Sequence, residues 1–280
     1  MHSQVLYQDY SEVKEFNYFF CSDLHFGSKG QDIQALGKDF KKARERNCKI
    51  FINGDVFDLI LSGDRKRYSP SSDKYNSDNN INLHINEAFD FLSPYADLIV
   101  LIGTGNHCTA VQKVHQMDVI QQLIWSLNTK HNTDIKHGQY SGFVLLRYHW
   151  GESGQVRTRK IYYNHGQGGA AEVTKGTIGI SRHMLTKNAD IYHFGHVHQK
   201  VLLPSEYVLD VDKNGNIISK ERAAFITGAY MKVFSQYDAN KKGYELNYGE
   251  EKMRSLQGVG GIFMKHTLDR DGTIYQEFTI

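Results

Sequence analysis

Short apolar runs, each closed by a polar, turn-forming cluster, set the pattern of this chain. Residues 17–21 (Asn-Tyr-Phe-Phe-Cys) stop at Ser22-Asp23. A run so short and so apolar predicts a strand buried on both faces. Residues 33–46 place Ile33, Leu36, Phe40 and Ala43 at helical spacing with a basic outer face, which predicts an amphipathic helix. Residues 49–52 form a second short apolar strand ending in Asn53-Gly54-Asp55. The order β, α, β predicts parallel strands.

Further along, residues 62–82 are polar and read as a long exposed loop carrying Arg65-Lys66-Arg67; unstructured loops of this length often bind ligands or act as lids. A helix is predicted over 83–92, a buried strand over 97–102, and a long helix over 110–127. The pattern then turns β-rich: 143–149 and 158–164 flank a hairpin-like turn at Gly151-Glu152-Ser153-Gly154. A short helix over 181–188 precedes the apolar stretch at 191–194, and strands are predicted over 201–203, 207–211, 217–226 and 262–268. Residues 237–258 are polar and receive no element. The absence of repeats and linkers favours one domain over residues 1–280.

Five of these strands end in clusters able to turn or to bind a metal. The clusters are Asp23-Leu24-His25, Gly54-Asp55, Gly105-Asn106-His107, Asn164-His165 and Gly195-His196-Val197-His198. In open α/β sheets, sites form beyond the carboxyl ends of the strands. Residues two apart on a strand point to one side, so His196 and His198 can turn into a common site. Taken singly, Asp-x-His is also a loop pair, Gly-Asp a turn, and Gly-Asn-His a sequence that tolerates unusual backbone angles. Their joint occurrence behind five apolar strands points to one site.

The set Asp23-x-His25, Gly54-Asp55-x-x-Asp58, Gly105-Asn106-His107, His165 and Gly195-His196-x-His198 resembles the signature of the calcineurin-like metallophosphoesterases and spans residues 23–198. The resemblance implies an α/β fold, a four-layer α-β-β-α sandwich with two mixed β-sheets, and two adjacent divalent metal ions. It implies that Asp23, His25, Asp55 and His198 hold one ion. It assigns Asp55, Asn106, His165 and His196 to the other, with Asp55 bridging. Mixed imidazole and carboxylate ligands suit Mn, Fe, Zn or Ni better than Mg or Ca, manganese being the first expectation. Two cations about 3.5–4 Å apart can share a hydroxide and clamp both sides of an in-line displacement. The resemblance gives His107 contact with the phosphate and protonation of the leaving oxygen, a role that suits imidazole near neutral pH.

The match departs at Cys108, where the family carries Asp or Glu to hold the other nitrogen of that histidine. Three readings stay open: another carboxylate takes that place, His107 works with a lower pKa, or activity is reduced. Asp58 is expected either to support a ligand histidine such as His25 from behind or to be a helix-start carboxylate.

Composition narrows the setting. The 280 residues include 14 histidines, and the formal charge is +2. Such a charge neither demands nor excludes an anionic partner. Three cysteines without a CxxC spacing form neither a disulfide framework nor a thiolate zinc site. With no signal-peptide pattern or membrane-length apolar run, a cytoplasmic location and no membrane partner are expected. Oligomeric state is left open. Arg65, Arg67 and Arg182 are candidate substrate contacts, each also readable as a solvated surface charge. The expected activity is a binuclear metal-dependent phosphodiesterase acting on nucleic acid or nucleotides. The 17 tyrosines and 15 phenylalanines could supply stacking surfaces. The alternatives are a phosphomonoesterase and a non-catalytic, metal-stabilised binding module.

Overall fold

Alternation within one strand explains the layering. In the computed structural model, β2 (Lys14–Cys21) turns Tyr18 and Phe20 to one side and Phe19 and Cys21 to the other. All four are fully buried, so the apolar run has no polar alternation. The structure describes residues 2–10, 14–61, 68, 73–75, 77–150, 154–169, 171, 173–203, 205–212, 214–232 and 258–280.

Two mixed sheets result. One has the order β13 (Ile274–Thr279), β12 (Ile262–Leu268), β2, β3 (Lys49–Ile52), β4 (Ile99–Gly103), β5 (Lys136–Gln139), parallel from β2 onward. The other runs β1 (His2–Tyr10), β6 (Ser141–Trp150), β7 (Gln155–Asn164), β8 (Ile191–Phe194), β11 (Ile217–Ile226), β10 (Glu206–Val211), with β9 (Val201–Leu202) also on β11. Tyr18, Phe20, Phe51, Leu101, Val144, Leu146, Ile161 and Phe225 pack between the sheets. On the far side of the first sheet lie α1 (Ile33–Glu45), α2 (Asn80–Leu92), α3 (Asn106–His115) and α4 (Val119–His131), whose Leu36, Phe40, Ala88 and Leu123 meet Phe19 and Ile50. The second sheet is covered by α5 (Thr177–Thr186), through Ile180 and Met184 on Tyr162 and Tyr192. The layers are therefore helix, sheet, sheet, helix, as expected.

Several elements differ from the sequence reading. The helix predicted over 110–127 is two: Gln116 is left-handed at φ 55, and Asp118 caps α4 by accepting from Gln121 N at 2.9 Å. The polar loop ends at Asn79, because α2 begins three residues before the predicted start. Of that loop, Arg65, Lys66 and Arg67 lie outside the described residues, as do Gly151-Glu152-Ser153 and most of 237–258. β1, β5 and β13 had no sequence signal. Among the described residues, no helix is long and apolar enough to cross a membrane.

Two buried histidines give the fold an acid weakness. His266 bonds Tyr148 through Nδ1 and Gln276 Oε1 at 2.9 Å through Nε2. His193 packs against Phe20 and Phe225. Burial is the main cause that lowers them to about 4 and about 3. Both are neutral when folded but take a proton below about pH 6.5 when unfolded. Stability from these groups is thus present above that pH and is lost as pH falls towards 4, by roughly 1 kcal/mol per pH unit for each. Melting temperature should fall across that window in wild type and fall less steeply in His266→Gln. Parallel curves would remove His266 from the account.

Candidate metal centre

The strand-end clusters are brought together by unusual backbone. Asp23, His25, Asp55, His196 and His198 all have φ between 43° and 68°. They are half of the ten non-glycine residues with positive φ among those described. Such residues each cost on the order of 1–3 kcal/mol and concentrate where function needs a fixed geometry. Two glycines permit the closeness. A Cβ on Gly105 would strike Asp55, and one on Gly195 would strike Ser22 and Asp23.

Asp23, His25 and His198 form one group and Asp55, His165 and His196 another, each with ligand atoms within 4.8 Å of one another. In the first, His25 Nε2 and His198 Nε2 are 3.2 Å apart, and Asp23 Oδ1 lies 3.3 Å from His198 Nε2. Atoms about 2.1 Å from a shared cation are about 3.0–3.4 Å apart in octahedral or tetrahedral arrangements. In the second group, Asp55 Oδ2 is 3.1 Å from His165 Nε2. His165 Nδ1 donates to the Asn53 carbonyl at 2.8 Å, which leaves Nε2 facing the site.

The donor atoms fit metal ions by another test. Asp23 Oδ1, Asn106 Oδ1 and His165 Nε2 are buried with no hydrogen-bond partner. Unpartnered buried polar atoms are costly, and these three belong to residues expected as ligands. Electrostatics point the same way. Burial opposes charge on both histidines, yet Asp58, Asp55 and Asp23 raise His25 to about 9, and Asp55 and Asp23 raise His165 to about 9. Burial likewise disfavours the Asp23 and Asp55 carboxylates, but the neighbouring histidines hold both below the usual range. Positive charge is therefore favoured at His25 and His165, whereas burial and then the neighbouring His165 lower His196.

His107 sits on the first turn of α3, at the rim, with its side chain 13% exposed. Its Nε2 is 3.9 Å from Asp55 Oδ2. Behind it stands Asp58: one oxygen, Oδ1, is 3.1 Å from His107 Nδ1 and 3.4 Å from His25 Nδ1. A single atom shared by two rings is aligned ideally with neither. Burial opposes the Asp58 charge, but its bonds to His107 and His25 hold the carboxyl well below its usual range. Cys108 instead points into the apolar layer under the helices, 3% exposed. Burial pushes its thiol well above the usual value.

Arg182 is exposed on α5, and no described contact ties it to the centre. Four supporting residues carried no motif. Asn53 donates from Nδ2 to the carbonyls of Asn164 and His193, joining the two sheets below the site. Tyr140 packs edge-on to His165 and donates to the Gly166 carbonyl. Ser22 and Thr227 contact each other at 2.7 Å beside Asp23. Of these only Ser22 and Asn53 adjoin a motif, which is the one signal that could have found them.

No family model matches the chain, and no curated protein does. Similar solved structures include the crystal structure of Chaetomium thermophilum Vps29, 9% identical over 94% of this chain and 97% of that one, with a TM-score of 0.28. Another is GAP50, the anchor in the inner membrane complex of Plasmodium, 11% identical over 94% of this chain and 84% of that one, with a TM-score of 0.39. At these scores neither likeness bears on function.

Proposed function

We propose that this chain is a binuclear metal-dependent phosphohydrolase of the calcineurin-like kind, a phosphodiesterase acting on nucleic acid or nucleotides. The observation that carries the reading is the pair of His/Asp groups, with Asp23 Oδ1, His165 Nε2 and the adjoining Asn106 Oδ1 buried and without a hydrogen-bond partner. Asp23, His25 and His198 would hold one ion and Asn106, His165 and His196 the other, with Asp55 between them. When bound, two manganese ions (or iron, zinc or nickel) activate water and neutralise charge on the phosphoryl oxygens.

The chain's own groups do the rest. Asp58 holds His107 by Nδ1, so Nε2 faces the site and can carry the proton that the leaving oxygen takes. Asp58 also fixes the His25 ring by Nδ1, turning that Nε2 inward. Tyr140 is a partly exposed aromatic beside His165 and offers a stacking face for a base at the rim. The three cysteines are free and buried, which suits a reducing compartment such as the cytoplasm.

Metal content and turnover of bis-p-nitrophenyl phosphate and p-nitrophenyl phosphate with Mn²⁺ test this on one sample. Two ions per chain and preferential turnover of the diester are expected. Monoester turnover alone would overturn the diester preference. Two bound ions with no turnover of either substrate would make the centre a structural binding module.

A further inference from the structure

Asp23 uses its two oxygens differently. Oδ1 has no protein hydrogen bond. Oδ2 accepts from the His196 backbone N–H at 2.9 Å and from the Ser22 hydroxyl. Ser22 Oγ lies 2.7 Å from Thr227 Oγ1, which lies 3.2 Å from His193 Nε2. Ser22, Asp23 and Thr227 have no exposed surface, and His193 is 1% exposed. Buried polar groups bond to one another or to trapped water, and here the direct distances already close the chain.

The distances favour one proton order along this chain. An ionised carboxylate only accepts, so the one proton of Ser22 goes to Asp23. Two hydroxyl oxygens at 2.7 Å need a proton between them, and only Thr227 can then supply it. Thr227 Oγ1 can also donate to the Phe194 carbonyl at 3.2 Å, but the contact with Ser22 Oγ is shorter, at 2.7 Å, and takes the proton. With its proton given to Ser22, the Thr227 oxygen must accept from His193 Nε2–H. Burial lowers His193 to about 3, so the ring is neutral and its single N–H sits on Nε2.

We propose that His193, Thr227 and Ser22 form a buried, one-directional hydrogen-bond relay that positions Asp23, saturating Oδ2 so that Oδ1 alone is offered to the metal centre. The proposal rests on the metal-centre reading above. Ser22 follows β2 of one sheet, whereas His193 lies on β8 and Thr227 follows β11 of the other. The relay therefore sets one ligand carboxylate against both sheets at once. Residues behind a ligand typically change metal affinity by about 10–100-fold. None of the three touches substrate; they are positioning residues.

Thr227→Val keeps the shape and removes the link, and Thr227→Ser keeps the link. Calorimetric titration of the metal-free proteins with Mn²⁺ should show the affinity for one ion falling on the order of 10–100-fold in Thr227→Val. The other ion should bind as before, and Thr227→Ser should bind both nearly as wild type does. Nitrogen-15 NMR of metal-free wild type near pH 7 should show His193 neutral and protonated on Nε2. An Nδ1-protonated His193, or unchanged affinity for both ions in folded Thr227→Val, overturns the relay; the tautomer decides alone if that variant does not fold. Failure of wild type to take up two ions, with the tautomer as expected, overturns the metal-centre reading and the relay's role in it while leaving the hydrogen-bond order intact.

Discussion

Asp55→Asn is expected to lose metal and nearly all turnover while keeping its fold. Asp55 is 1% exposed, with Oδ2 at 3.1 Å from His165 Nε2 and Oδ1 accepting the His107 backbone N–H at 3.1 Å. An amide of the same shape must put an NH₂ towards one of these contacts, and it brings no charge to offset two cations. Removing one preorganised electrostatic contact from an active site costs on the order of 10²–10³-fold in turnover, and a shared ligand should lie at or beyond the upper end. Stability of the metal-free protein should fall as well. Burial disfavours the Asp55 carboxylate, but His165 and the other neighbouring histidines outweigh burial and hold the carboxyl below its usual range. The folded state therefore favours the ionised form, and neutralising it gives up that stability. A lowered melting temperature with chelator present, together with loss of bound Mn²⁺ in elemental analysis, is the expected pair of results. Retention of two ions at wild-type affinity would end the assignment of Asp55 as the shared ligand.

The candidate centre could be read in the sequence because each of its parts stands at a sharp change of pattern. The strand β3 stops at Asn53-Gly54-Asp55, and β8 stops at Gly195-His196-Val197-His198. A buried strand carries few polar residues, and those it has need a partner, as His193 on β8 does, so the first polar cluster past its end marks where the chain emerges. The elements without a signal are the ones whose side chains do not follow that rule. In β1, Val5 and Tyr7 face solvent at 42% and 54% exposure while Gln4 and Gln8 are half-buried. It is an edge strand held by backbone pairing with β6. In β5 the sequence Lys-His-Gly-Gln is polar, yet the strand pairs with β4. Backbone pairing leaves no trace in hydrophobic periodicity.

The same limit applies within the site. Ligand types and their order are local properties of sequence, whereas the partner behind each ligand is a property of the fold. Asn53 reaches across 112 residues to take the His165 Nδ1 proton on its carbonyl, and Thr227 stands 205 residues from Ser22. Neither spacing has a pattern to detect. The hairpin arm of β10 and β11 is a different case. Tyr207, Leu209, Val211 and Ile217 share one exposed face of it, as the strand alternation alone would place them.

Asp58→Asn and Cys108→Asp are expected to fail in opposite ways. Asp58 Oδ1 serves both His107 and His25 through their Nδ1 atoms, so one neutralising substitution loosens the proposed proton donor and a proposed ligand together. Orienting carboxylates of this kind are worth about 10–100-fold each, and a shared one should cost turnover at least 10²-fold on that scale. The His25 ring carries a second signature. Burial lowers its pKa, and Asp58 is the first of the groups that outweigh burial and raise it to about 9. In metal-free Asp58→Asn its NMR titration should therefore move to lower pH. Cys108→Asp puts an acid where this fold has no place for it. The thiol is 3% exposed among apolar side chains, and burial followed by the Asp55 charge already pushes its ionisation up. A carboxylate there meets both penalties, so the variant should lose on the order of 3 kcal/mol of stability. Its turnover per folded molecule and the shape of its pH–rate profile should stay as in wild type. The reverse outcome, an intact Asp58→Asn and a Cys108→Asp with a shifted pH–rate profile, would move the partner of His107 from position 58 to position 108.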